Sequence, residues 1–251
     1  MNGPLLRYTF SANALRLVVI AAGLVLMGVI MPVVYAAFGQ EMQEFIESVP
    51  FFSQMASNFG GGDVMSLNGS LAVAFTHPFT LLLMGIIAIV FPALAISGAR
   101  DKGTLEVTLS RPISRRGLLA TLYFCGVVFI GLLLGVLVAT TGTVGFIVGF
   151  GDEIAYDHLL QLWLADGLFF TAAMSLAFAV SVGADRAAPA IGIPAAVVLL
   201  SYLAWAIGGI WPDVKFLADW SPFHLLKACL LYTSDAADDD TIVGISVGAG
   251  S

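Results

Sequence analysis

Five long apolar runs govern what this chain can become, because each is long enough to cross a lipid bilayer, which takes about 20 residues of helix. They are "ALRLVVIAAGLVLMGVIMPVVYAAF" (14–38), "PFTLLLMGIIAIVFPALAIS" (78–97), "LLATLYFCGVVFIGLLLGVLVATTGTVGFIV" (118–148), "LLQLWLADGLFFTAAMSLAFAVSV" (159–182) and "PAIGIPAAVVLLSYLAWAIGGIW" (189–211). Backbone immersed in hydrocarbon must satisfy its own hydrogen bonds, so runs of this length read as helices. The expected fold is all-α, a polytopic membrane helix bundle. Composition agrees: only 11% of residues are charged and 59% are hydrophobic, whereas soluble domains carry about 25% charged residues. The first run exceeds the apolar core of a cleaved signal peptide, about 7–15 residues, and reads as a retained anchor. Glycines and threonines in the third predict an irregular outer end, and Pro189 and Pro194 fall in the first turns of the fifth, where early amides lack helical acceptors.

Basic residues set the orientation, since short cytoplasmic loops retain them. Arg7 and Arg16 accompany the first span, Arg100, Lys102, Arg111, Arg115 and Arg116 follow the second, and Arg186 separates the fourth and fifth. Loops 39–77 and 149–158 contain no lysine or arginine. The N-terminus is therefore expected in the cytoplasm.

Five spans would then leave the chain outside, yet "WPDVKFLADWSPFHLLKA" (211–228) reads as the approach to a sixth crossing, with Trp and Phe suited to an interface. It gives way to "CLLYTSDAADDD" (229–240), whose first ten residues resemble the translation of a transposon-end adapter used in sequencing libraries. The expectation is a membrane domain over 1–228, its sixth span lost by truncation, and a non-native tail over 229–251. Asp235, Asp238, Asp239 and Asp240 account for four of the seven net negative charges and carry no function on this reading. The remaining charge leaves no nucleic-acid footprint. Cys125 and Cys229, the two cysteines, give no spacing for a disulfide framework or a metal.

The stretch between the second and third spans, "SGARDKGTLEVTLSRPISRRGLL" (97–119), has the marks of a structured loop. Leu105 and Leu109 lie one helical turn apart, Thr104 or Asp101 can cap the start, Pro112 stops the helix and Ser114 can cap the next. Such a helix, held on two rigid spans, suits the transmission of force from a soluble partner. "KGTLEVTLSRPISRR" resembles the cytoplasmic loop of type-2 ABC transporter permeases. Lys102, Gly103, Thr104, Leu105 and Glu106 match the first part of that pattern, and Arg111, Pro112, Ser114 and Arg115 the second. The long outer loop and "SPFH" (221–224) extend the resemblance over most of 1–228, while Ala99 stands where the family often has an acid.

The resemblance implies the membrane subunit of an ATP-driven exporter in the cytoplasmic membrane of a prokaryote, paired with a second permease copy or a homologous permease. Its loop would dock on a separate ABC ATPase subunit, through Thr104, Leu105, Glu106 and Leu109, with Arg111 and Arg115 positioning it. ATP and Mg²⁺ would belong to that partner: the chain has no G-x-x-x-x-G-K-[ST] phosphate loop, and "GGGD" (60–63) lacks the lysine. No cofactor is expected on this chain. The alternative is a polytopic scaffold or assembly factor without transport.

Asp166, inside the fourth span, is the charged residue most suited to a translocation path, since a carboxylate at membrane depth is costly and often functional. Its competing role is a hydrated or hydrogen-bonded group within the bundle. His77, before Pro78, reads as an interfacial cap, and Gly131 and Gly135 form a face for close helix approach. Residues 41–59 predict a short helix on the outer membrane face, stopped near Pro50. The aspartates of "GFGD" (149–152) and "YD" (156–157) share one loop and so do not form the facing pair of an intramembrane aspartyl protease.

Overall fold

The computed structural model of the chain describes residues 3–48, 67–110, 114–151, 153–154, 156–224 and 226. Described residues contain helix and no strand: α1 (Gly3–Ser48), α2 (Leu67–Thr76), α3 (Pro78–Gly85), α4 (Thr104–Leu109), α5 (Arg115–Gly145), α6 (Tyr156–Gly183), α7 (Ala187–Ile210) and α8 (Lys215–Trp220), with short turns of other helical type between them. Five stretches have the length and apolarity to cross a membrane: Gly3–Phe38, Leu67–Asp101, Arg115–Phe150, Tyr156–Gly183 and Ala187–Gly209. The chain is an all-α polytopic membrane protein.

Each span is found where the apolar runs place it, with three differences. First, α1 starts eleven residues before its apolar run and continues to Ser48, so the part of the outer helix expected at 41–48 is a continuation of the first span. Residues 49–66, with Pro50, lie outside the described residues. Second, the second span begins at Leu67, and His77 falls within it. There His77 is the N-cap of α3: its Nδ1 accepts from the Phe79 amide at 3.2 Å, and Pro78 follows at the first helical position. Third, Pro194 lies in the interior of α7 rather than in its opening turns.

After Gly85 the second span widens. Two π-helical turns, Ile86–Val90 and Leu94–Gly98, flank the short segment Phe91–Ala93. Pro92 offers no amide proton and its ring would crowd the Ala88 carbonyl in a regular α-helix, so a wide turn falls where that crowding must be relieved. Each of the three segments carries a run of three buried residues, Ile87 to Ile89, Phe91 to Ala93 and Ile96 to Gly98.

Contacts divide the chain into two units, and α1, α5, α6 and α7 each give a stretch to both. The first comprises Met1–Gly28, His77–Thr140 and Asp166–Leu200. A run of rings ties its helices together: Phe10 meets Phe129 edge-on at 4.8 Å, Phe129 meets Phe91 at 5.5 Å, Phe91 meets Phe178 at 6.5 Å, and Phe178 meets Tyr123 at 5.8 Å. The Tyr123 hydroxyl and Ser175 Oγ share a hydrogen bond of 3.0 Å. Between membrane helices, dispersion and such polar links replace the hydrophobic effect. Gly126 permits the closest approach here, since a Cβ on it would strike the Met174 sulfur. Leu15, Val18, Val19, Leu168, Leu199 and Leu200 point outward and exposed, the apolar exterior that lipid requires.

The second unit comprises Val29–Thr76, Thr141–Ala165 and Ser201–Ser251. As expected, the end of the third span is irregular: Gly149 breaks it with φ 106°, a conformation that only glycine adopts readily. Beyond α7 the chain turns back. Gly208 packs on Ala218, then Ser221 Oγ donates to the Ser201 carbonyl at 2.7 Å, and Phe223 meets Tyr202 at 5.5 Å and Trp205 at 6.2 Å. Residues 218–223 therefore run antiparallel to the end of α7. These residues lie within the stretch 211–228.

Candidate functional site: the loop between the second and third spans and the clamp behind it

The segment 97–117 is built from a turn that only one residue type serves well. Helix Ala99–Asp101 closes at Lys102, and Gly103 takes up φ 67° with its amide bonded to the Arg100 carbonyl at 2.9 Å. This left-handed position suits glycine, because a Cβ would strain it. α4 starts at once on Thr104. The expected side-chain caps do not form: Thr104 Oγ1 donates backward to the Ala99 carbonyl at 3.1 Å, and Asp101 belongs to the helix before. Short-range closure by the glycine turn replaces the cap. At the far end Ser114 does cap α5, accepting from the Gly117 amide at 3.0 Å. Arg111 and Pro112 lie outside the described residues.

Lys102, Gly103, Thr104, Glu106 and Arg115 are exposed, while Leu105 and Leu109 are half-buried. α4 thus offers a polar edge, Lys102 and Glu106, beside the exposed Val107. Leu105 and Val107 also line a cleft of about 830 Å³ with residues of α1, of the loop end of the second span, and of the first turns of α5.

Behind the loop lies a clamp that sequence reasoning missed. Arg100 Nη1 donates to the Ala184 carbonyl at 2.7 Å, and its two Nη atoms reach the Val182 carbonyl at 3.4 and 3.3 Å. These are the carbonyls that the end of α6 cannot satisfy internally, and a cation there also opposes the helix dipole. The Asp185 carboxylate stands 3.6 Å away but is 93% exposed, so the ion pair contributes little beside the carbonyl bonds. One turn earlier, buried Ser97 Oγ donates to the Ser181 carbonyl at 2.9 Å. Arg100 had counted only as a topology signal. The short hairpin "GADR" (183–186) was the available clue that a helix end nearby needed a donor.

Asp166 is the eleventh residue of α6, about 15 Å along it at 1.5 Å per residue. It is 1% exposed, and its Oδ2 has no hydrogen-bond partner among the described residues. It shares the buried face of α6 with Phe170, Met174, Ala177 and Ser181. Among the described residues no hydrogen bond or ion pair joins Asp166 to the loop. Gly131 and Gly135 are half-buried, and on the same helix a Cβ on Gly126 would strike the Met174 sulfur of α6.

No curated protein and no solved structure matches the chain. The family described as ABC-2 family transporter protein matches residues 11–216, a stretch that holds the five apolar runs, the glycine turn, α4 and the Arg100 clamp. The chain belongs to the ABC-2 transporter family, as a membrane permease component.

Proposed function

We propose that this permease serves an ATP-driven exporter in the cytoplasmic membrane of a prokaryote, with its N-terminus and the loop 97–117 in the cytoplasm. The loop docks on a separate ATPase subunit, and a second permease copy or a homologous permease completes the pathway. The observation that carries this reading is α4, seated on the Gly103 turn with Lys102 and Glu106 exposed and rooted one residue pair away in the Arg100 clamp. Movement imposed on α4 is passed to the ends of the second and fourth spans, because Ser97 and Arg100, at the loop's root, donate to main-chain carbonyls at and just beyond the end of α6. Arg111 and Arg115 position the loop, and Asp166 lines the path of the substrate. The nucleotide and Mg²⁺ reside on the partner.

The test is the ATPase that co-purifies with the full-length chain. Leu105→Ala with Glu106→Ala should leave membrane insertion intact and remove the substrate-stimulated part of hydrolysis. Unchanged stimulation refutes the docking surface, and absence of any ATPase in the purified complex refutes the exporter reading in favour of a scaffold.

A further inference from the structure

We propose that the cleft beside α4 binds an anionic phospholipid of the leaflet adjoining the loop, with Arg16 as the ligand of its headgroup. This rests on the cleft itself and does not require the ATPase reading.

The cleft is amphiphilic. Much of its apolar lining comes from Phe91, Leu94, Leu105, Leu118 and Leu122. On α1, beside Leu5 and Ala12, the polar residues Thr9, Asn13 and Arg16 recur at helical spacing, and Thr104 of α4 adds a hydroxyl. Arg16 is the sole charged residue in the lining, and no carboxylate lies within ion-pair distance of it among the described residues. The guanidinium is nonetheless held in place. Nη1 donates to Asn13 Oδ1 at 3.1 Å, and the Asn13 amide in turn donates to the Thr9 carbonyl at 2.9 Å. That uses one of five guanidinium donors and leaves the rest of the fork for a ligand. An oriented, uncompensated arginine among leucines is matched by an oxyanion attached to hydrocarbon, for which guanidinium is better suited than ammonium.

Depth selects the lipid over a soluble anion. Leu118 and Leu122 lie four and eight residues into α5, within about 11 Å of its loop end at 1.5 Å per residue, the zone where headgroups give way to acyl chains. Because Leu105 and Val107 of α4 form part of the wall, an occupied cleft would hold the loop helix against α1, giving lipid a means to set where that helix stands.

Fluorescently labelled short-chain phosphatidylglycerol, titrated onto the purified full-length chain in nonionic detergent, tests the proposal against phosphatidylcholine of equal chain length. Phosphatidylglycerol should bind saturably, and Arg16→Gln should weaken it about tenfold, the loss of one charge-assisted contact. Arg16→Lys should recover part of the affinity, and Arg7→Gln, outside this cleft, should change nothing. Phosphatidylcholine binding as tightly, or an unchanged affinity in Arg16→Gln, overturns the site. Displacement by glycerol phosphate at equal concentration overturns the lipid as occupant. Should Arg16→Gln lose its thermal unfolding transition, Leu105→Glu places a carboxylate in the same cleft from outside the spans; undiminished phosphatidylglycerol binding there is equally decisive against it.

Discussion

Arg100 and Ala184 are 84 residues apart in sequence, yet the guanidinium of one donates to the carbonyl of the other at 2.7 Å. The bond joins the root of the loop helix to the end of the fourth span. Arg100→Gln should lower stability by about 1 kcal/mol, since the charged donor is partly exposed, and Tm by about 3 °C. Asp185→Asn should leave both unchanged, because its ion pair is fully solvated on the aspartate side. Thermal unfolding in detergent separates the two, and equal effects would assign the clamp to the ion pair instead.

Asp166 stands in the buried face of α6 with Oδ2 unpartnered among the described residues. A buried polar group without a partner costs stability, so Asp166→Leu should raise Tm. The same change should abolish transport, and Asp166→Asn should reduce it at least about tenfold, the scale of one lost polar contact. Normal transport by a stabilised Asp166→Leu protein would show the carboxylate to be dispensable to the path.

Val107 is 67% exposed on α4. In a Cys229→Ser background, where Cys125 is buried, Val107→Cys should resist an impermeant maleimide in intact cells and react once the membrane is opened. Reaction in intact cells would invert the proposed orientation.

Two glycines of α7 should respond oppositely to alanine. A Cβ on Gly208 would fall 2.5 Å from the Ala218 amide and 3.0 Å from the Val214 carbonyl, both backbone, whereas one on Gly192 meets nothing within 4 Å. Gly208→Ala should cost about 2 kcal/mol by forcing the returning segment away. Gly192→Ala should add up to about 1 kcal/mol through helix propensity. Chemical unfolding, with Trp205 emission reporting on the returning segment, checks both.

Span number and the loop helix were legible because membrane insertion demands long apolar runs, and because Gly103 and Ser114 carry local turn and cap chemistry. The Arg100 clamp was not, since its acceptors are main-chain carbonyls, which every sequence possesses and none advertises. Thr104 misled for a related reason: its hydroxyl, expected to accept from an amide at the helix start, donates instead to the main-chain carbonyl of Ala99. Pro194 sits in the interior of α7 although its position suggested an opening turn, because the helix starts at Ala187, before the proline pair. The extension of the second span to Leu67 was hidden by Asn68, Gly69 and His77, which interrupt the hydropathy without interrupting the crossing.

The two wide turns of the second span make its loop end a matter of counting. Each residue of a helix advances the azimuth by about 100°, so removing a single residue between Met84 and Ser97 would swing Arg100 and Ser97 by more than a quarter of a revolution, away from the carbonyls of α6. The span works as an index pin, whose length in residues sets the direction in which the loop is aimed.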